Sequence, residues 1–178
     1  SNICENFKQI IVNNLEDIKN LKNKTIQKSD NSFVSEGDLL VQKIIAEEIK
    51  KNHNNYFLIS EENDHKEKWK DFDDFIVLDP IDGTDNFISG MKEWGVGISV
   101  FKKRKHTESM IFLPDMNITL KSGEKVFKNR SRIIGMSSRY FKKGIDPCDN
   151  NYEYRALGCS MINMYYVITG SFKYYVDT

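Results

Sequence analysis

The chain has 178 residues, enough for one ordinary or one large domain with a real hydrophobic core. Lys and Arg number 26 and Asp and Glu also 26, so a net charge of zero gives no bulk attraction to a nucleic-acid polymer or an anionic membrane. No apolar run approaches the ~20 residues that span a bilayer, no signal peptide is visible, and Cys4, Cys148 and Cys159 lie too far apart for a zinc site or disulfide framework. Three reduced thiols in a cytoplasmic protein are the expectation.

In chain order, Ile3, Phe7, Ile10, Ile11, Leu15, Ile18 and Leu21 recur at helical spacing and predict one amphipathic helix, followed by a polar stretch from Asn23 to Ser32. Gly37 and Asp38 open a second predicted helix through Leu39, Leu40, Ile44, Ile45 and Ile49. Tyr56 to Ile59 reads as a short buried strand running into Ser60-Glu61-Glu62, and His65 to Asp74 as a charged loop or short helix. Phe75 to Leu78 is a second apolar strand, again ending in acid at Asp79.

Further on, Val96, Ile98 and Val100 alternate in strand fashion within Trp94 to Phe101. Lys102 to His106 reads as a basic hairpin tip, Ser109 to Leu113 as the returning strand, and Ile118 to Leu120 and Lys125 to Phe127 as short strands. Arg132 to Met136 is another strand, Tyr140 to Tyr154 irregular, Cys159 to Thr169 a buried helix and Phe172 to Val176 a final strand. A composition shift near Asn129 to Ser131 divides residues 1–130 from 131–178. Helices preceding hairpin-linked strands give an α+β class.

Two strand ends carry acid: Glu61 and Glu62 after the first, Asp79 and Asp82 after the second. If those strands are neighbours, four carboxylates converge, and clustered carboxylates repel unless a cation joins them. With neither His nor Cys close by, oxygen ligands favour Mg²⁺ over zinc. Pro80 stiffens a turn that aims Asp79 and Asp82 at one ion, with the Ile81 carbonyl between them. Gly83 and Thr84 follow where a helix begins, and their amides would face an anion. Taken singly, these parts read more plainly. Asp-Pro-x-Asp-Gly is ordinary turn chemistry, Glu61-Glu62 an ordinary solvated strand end, and the acidic spacing is not that of an EF-hand. His53, His65 and His106 sit in polar loops and read as solvated. The combination is the specific signal.

"DPIDGTDNF" at Asp79–Phe87, with "ISEEN" upstream and Gly37-Asp38 before a helix, resembles the inositol monophosphatase family. Arg155 to Asp177 is similar to that family's later helix and following strand. The resemblance implies a layered α/β sandwich of the sugar-phosphatase type, with an N-terminal antiparallel sheet and two helices, and a second α/β half that is incomplete here. It implies a Mg²⁺-dependent phosphomonoesterase using two or three ions. Glu61, Asp79 and the Ile81 carbonyl would bind the first metal, and Asp79 and Asp82 the second. Glu62 would act from the outer shell, and Thr84 paired with Asp38 would orient the attacking water. The amides of Gly83 and Thr84 would hold the phosphate, with Asp177 at the substrate rim. The expected partners are a small phosphate ester and a second copy of the chain. Inositol monophosphate is the leading substrate, 3'-phosphoadenosine 5'-phosphate the alternative, and a truncated, non-catalytic metal- or phosphate-binding relative the third reading. The family's later Trp-Asp motif, whose Asp completes the second metal site, does not occur: Trp69 and Trp94 are followed by Lys70 and Gly95. A fragment, omitted segments or natural truncation would each account for this, and apolar surface from Met161 to Ile168 is expected to lie bare unless a partner covers it.

Overall fold

The computed structural model describes residues 2–62, 68–144 and 149–177. The expectations for His65 and Cys148 therefore lie outside the described residues. Helix α1 (Ile3–Asn13) is capped by the Asn2 side chain, which accepts from the Glu5 amide. A separate helix α2 (Leu15–Asn20) follows, so the single helix predicted through Leu21 is two. The break falls at Asn14, whose side chain donates 2.8 Å to the Ile10 carbonyl and thereby competes with the helical ladder. The apolar stripe survives the break: Phe7, Ile11 and Ile18 are fully buried.

The polar stretch after α2 holds structure that periodicity does not reveal. Strands β1 (Thr25–Gln27) and β2 (Phe33–Ser35) form a small antiparallel hairpin. Helix α3 (Glu36–Asn52) starts one position earlier than expected, on Ser35 as N-cap. Ser35 and Asp38 form a reciprocal capping box, which satisfies two otherwise orphaned groups at the helix start.

The main sheet has five strands in the order β3 (Phe57–Ser60), β4 (Phe75–Asp82), β5 (Gly95–Lys102), β6 (Lys105–Leu113), β7 (Ile118–Lys121). Pairing is antiparallel throughout except that β3 runs parallel to β4. Lys103 and Arg104 turn the β5–β6 hairpin with positive φ. One face of the sheet packs on α1 and α3, burying Ile76, Leu78, Val96, Ile98 and Val100 with Val41, Ile45 and Ile49. Full burial of one such side chain stabilises the fold by roughly 1.5–3 kcal/mol.

A second sheet of three parallel strands is ordered β10 (Tyr174–Val176), β8 (Ile133–Met136), β9 (Glu153–Arg155), so not every strand is hairpin-linked as predicted. Its Glu153–Arg155 strand and the short α5 (Ser138–Lys142) reach into the two ends of the segment expected to be irregular, whereas Lys125 to Phe127 forms no strand and leaves Phe127 exposed. Helix α6 (Ser160–Ile168) lies between the two sheets' ends and packs Ile162 and Met161 near Leu113. The mixed α/β architecture with more than one sheet agrees with the expected class. No helix among the described residues is long and apolar enough to cross a membrane.

Candidate active site

The parallel pairing of β3 and β4 decides where the acids go. Ser60 lies opposite Leu78, so Glu61 and Asp79, the next residue of each strand, emerge side by side. The β4 strand continues past Asp79 to Asp82. In a regular strand, residues three apart face opposite sides. Here Asp79 pairs with Gly97 and Asp82 with Gly95, three steps on β4 against two on β5, which is a bulge. The shift appears in the core: Ile76 and Leu78 point inward before the bulge, and Ile81 does so after it. Asp79 and Asp82 are thus returned to one side of the sheet.

The carboxylate of Asp79 is held in a strained electrostatic position. Its Oδ1 is buried with no hydrogen-bond partner. Burial first, then the charges of Asp82, Glu61, Asp38 and Glu62, push its pKa up to about 8. Asp38, buried at the start of α3, is also raised, chiefly by burial and further by Glu62, against the opposing hydrogen bonds from Ser35 and Thr84. Its Oδ2 accepts from the Ser35 amide at 2.8 Å and the Ser35 hydroxyl at 2.5 Å. Its Oδ1 faces the Thr84 hydroxyl at 3.3 Å, which has the Ile81 carbonyl as a second acceptor at 3.1 Å. One proton serves both, so Thr84 Oγ1 keeps lone pairs for another donor.

Gly83 links β4 to helix α4 (Thr84–Ile88) in the left-handed conformation, φ +81°. A Cβ there would meet the Cys159 Cβ at 2.9 Å and the Glu93 carbonyl at 3.1 Å, so glycine is required by conformation and by space. Asn86 fastens this turn to the later chain: its Nδ2 donates to the Glu93 and Leu157 carbonyls, both at 2.7 Å. Trp94 packs its ring on Phe87 and donates Nε1–H to Asp115 at 2.7 Å.

Asp82 does not stand free beside Asp79. Its Oδ2 accepts from the Met161 amide at 2.5 Å and lies 3.1 Å from the Cys159 Sγ. Helix α6 has no side-chain cap from its own N-cap, Cys159, and Asp82 supplies an acceptor instead. Burial and Asp82 together push the Cys159 thiol up, so it stays protonated; Cys4 and Cys159 are both free and buried. Asp177 lines a polar cavity of about 160 Å³ that also includes Asp82, Ser137, Cys159, Ser160 and Tyr175.

Glu61 and Glu62 are likewise engaged. Lys28, in the turn between β1 and β2, places Nζ 2.6 Å from Glu62 Oε1 and 3.8 Å from Glu61 Oε1. Among the described residues no three His, Cys, Asp or Glu side chains stand as a ready-made ligand set for a metal ion. Glu62 is tied to Lys28 and Asp82 to the start of α6. In kind the donors still fit a hard divalent cation: carboxylates, a peptide carbonyl and one buried carboxylate oxygen with nothing to bind. The structure therefore gathers Asp38, Glu61, Glu62, Asp79, Ile81, Asp82, Gly83 and Thr84 around the C-terminal ends of β3 and β4, with Asp177 lining the same cavity as Asp82. Lys28, Ser35, Asn86 and the Met161 amide are additional members. Only Ser35 has a local signal, the Ser-x-x-acid spacing to Asp38.

This arrangement has counterparts. The family model described as the inositol monophosphatase family matches residues 2–140. The chain belongs to the inositol monophosphatase family. It is 26% identical over 145 residues to the Nus factor SuhB of Xylella fastidiosa, covering 75% of this chain and 50% of that protein. It is 28% identical over 172 residues to the 3'(2'),5'-bisphosphate nucleotidase CysQ of Haemophilus influenzae, covering 84% of this chain and 64% of that protein. The chain thus spans less than two thirds of either relative's length. Among solved structures, an IMPase/NADP phosphatase complexed with Mg²⁺ and phosphate superposes with a TM-score of 0.71 at 16% identity, over 94% of this chain and 73% of that one.

Proposed function

We propose that this chain carries the site of a divalent-metal-dependent phosphomonoesterase that hydrolyses a small phosphorylated metabolite. The observation that carries the reading is the buried, unpartnered oxygen of Asp79 amid four other carboxylates, an arrangement costly to keep without a cation. Glu61, Asp79, Asp82 and the Ile81 carbonyl would hold Mg²⁺, two or three ions in all. When bound, the metal would neutralise the acidic cluster and act as a Lewis acid toward phosphoryl oxygens. The chain's own groups do the rest. Thr84 Oγ1, backed by Asp38, accepts a hydrogen from the attacking water and orients it. Glu62 supports that water from the outer shell. The amides of Gly83 and Thr84, at the start of α4, hold phosphate oxygens. Asp177 faces the alcohol portion of the ester from across the cavity at Asp82.

The hydroxyl-rich lining of that cavity supports a polyol ester such as inositol monophosphate as substrate. The similarity to CysQ over 84% of the chain supports a second reading, a nucleotide bisphosphate. Met164 and Ile168 of α6 are exposed, at 52% and 38%, and support association with a second copy. Phosphate release from inositol 1-phosphate and from 3'-phosphoadenosine 5'-phosphate, with and without Mg²⁺, tests the proposal. Turnover that needs Mg²⁺ and is lost in Asp79→Asn supports it; no turnover of either ester by the chain in its full reading frame overturns it.

A further inference from the structure

Helix α4 has a second cavity at its far end. Its first residues adjoin the acidic cluster, whereas the turn after it, Gly90 and Met91, faces the end of α2 across a cavity of about 210 Å³. Three ammonium groups, from Lys19, Lys22 and Lys92, and one carboxylate, from Asp115, line that cavity; no member of the acidic cluster does. Asp115, in the turn between β6 and β7, is fully engaged. Its Oδ1 accepts from Lys19 Nζ and its Oδ2 from Trp94 Nε1, both at 2.7 Å. Trp94 is buried, so this wall is fixed to the core. The Lys22 amide donates to the Lys19 carbonyl at 3.3 Å, a turn that sets both side chains at one mouth. Among the described residues Lys22 and Lys92 have no ion pair and no side-chain hydrogen bond. An unpaired lysine ordinarily carries its ammonium out to water. Lys22 is instead half-buried and folded over Gly90: its Nζ is the nearest atom, at 3.6 Å, to the position a Cβ there would take.

We propose that this cavity, lined by Lys19, Lys22 and Lys92, is a second anion site, distinct from the acidic cluster, which takes the phosphoryl group of a small molecule. The inference does not depend on metal at the cluster. An ammonium group only donates, so a ligand here must bring acceptors and negative charge. Asp115 offsets one of the three lysines and leaves two positive charges unmatched. A phosphoryl group carries about −1.5 to −2 near neutral pH and three strong acceptor oxygens, which suits two free ammoniums better than a singly charged carboxylate does. Lysines suit such a group as flexible point donors that need no fixed planar geometry. Lys92 is exposed and Lys22 half-buried, so the attraction is that of partly solvated charges and the binding modest. Phe87 and Trp94 back the cavity and Met91, itself exposed, forms an apolar lip, which gives a monoester a place for an apolar substituent. The phosphoryl group can come from free phosphate or from such an ester.

The test is amide NMR of the isotope-labelled chain in EDTA, where the acidic cluster has no metal to attract an anion. Sodium phosphate, phenyl phosphate and sodium acetate are titrated in turn at constant ionic strength. Phosphate is expected to shift the amides of Lys19, Lys22, Gly90, Met91 and Lys92 with a Kd on the order of 1 mM, and acetate to need about tenfold more. Lys22→Met and Lys92→Met each weaken phosphate about threefold and the double variant about tenfold, the range of partly solvated charge pairs. Lys24→Met, whose pair with Glu36 at 3.5 Å is exposed on both sides, stays within about twofold of the parent. Tighter binding of phenyl phosphate than of phosphate assigns the site to a monoester with an apolar portion, and equal binding assigns it to free phosphate; both support the proposal. Shifts confined to Gly83, Thr84 and their neighbours put the anion in the site already described and overturn it. Shifts that acetate reproduces at equal concentration, or that persist in the double variant, mark charge screening alone and overturn it too. So does the absence of shifts at about 20 mM phosphate.

Discussion

Asp38 and Thr84, 46 residues apart in the chain, meet at 3.3 Å where the start of α3 touches the start of α4. The contact joins a buried carboxylate to a hydroxyl that also faces the Ile81 carbonyl at 3.1 Å, and the proposed function uses that hydroxyl to orient the attacking water. Thr84→Ala is expected to lower kcat by about 10²–10³-fold with little change in KM, the scale of a lost general-base contact. Thr84→Ser retains most of the rate. Steady-state phosphate release, with circular dichroism to show an unchanged fold, checks both.

Asp79 gives a pH dependence opposite to that of an ordinary paired carboxylate. Its folded pKa of about 8 lies above its ordinary value of 3.8. Below about pH 4 the folded and unfolded chains both hold the proton, and the site carries no penalty. Between about pH 4 and 8 the folded chain holds a proton that the unfolded chain has lost, so metal-free stability falls as pH rises through that window. Asp79→Asn should therefore raise the metal-free melting temperature at pH 8 and leave it nearly unchanged at pH 4. A gain of about 1 kcal/mol corresponds to roughly 2–4 °C in a chain of this size. Thermal melts in EDTA across that range measure it.

Gly83 and Gly90 separate conformational strain from steric exclusion. Both have positive φ, +81° and +77°. A Cβ at Gly83 would collide with Cys159 and the Glu93 backbone, whereas at Gly90 the nearest atom is the Lys22 Nζ at 3.6 Å. Gly90→Ala should cost about 1 kcal/mol and Gly83→Ala roughly 2–4 kcal/mol, because only the second adds overpacking to the left-handed penalty. Urea denaturation of the two variants tests the difference.

Asn86→Ala should destabilise the chain by about 2 kcal/mol, since it leaves the Glu93 and Leu157 carbonyls without their 2.7 Å donor. Because those bonds tie α4 to the loop before α6, the same variant should also speed hydrogen exchange of amides around Gly158. Exchange mass spectrometry reads this directly.

Much of this arrangement is visible in the residues themselves, and what is not has physical causes. The alternation of β5 and the acids at two strand ends follow from local pattern, whereas α6, which reads as a buried helix, buries only Ile162 and Asn163 and leaves Met164 and Ile168 exposed. The spacing from Asp79 to Asp82 reads as a tight turn, but the chain reaches the same end with a bulge in a continuing strand. That distinction depends on Gly97 and Gly95 across the sheet, and no local pattern holds it. The split at Asn14 escapes periodicity because the apolar stripe runs straight through it. The tie from Asp82 to the Met161 amide joins residues 79 apart, and Lys28 sits in a stretch whose polarity marks only a loop. Such contacts belong to the folded whole rather than to any segment.

The central proposal is that Glu61, Asp79, Asp82 and the Ile81 carbonyl together hold divalent cations. A crystal structure of the chain soaked in MnCl₂, read by anomalous scattering, tests it most directly. The account predicts a peak bonded to Asp79 and Glu61, with Lys28 withdrawn from Glu61 and Asp82 turned from α6 toward an ion. Full-occupancy soaking that left Lys28 on Glu62, Asp82 on the Met161 amide and no metal beside Asp79 would contradict it.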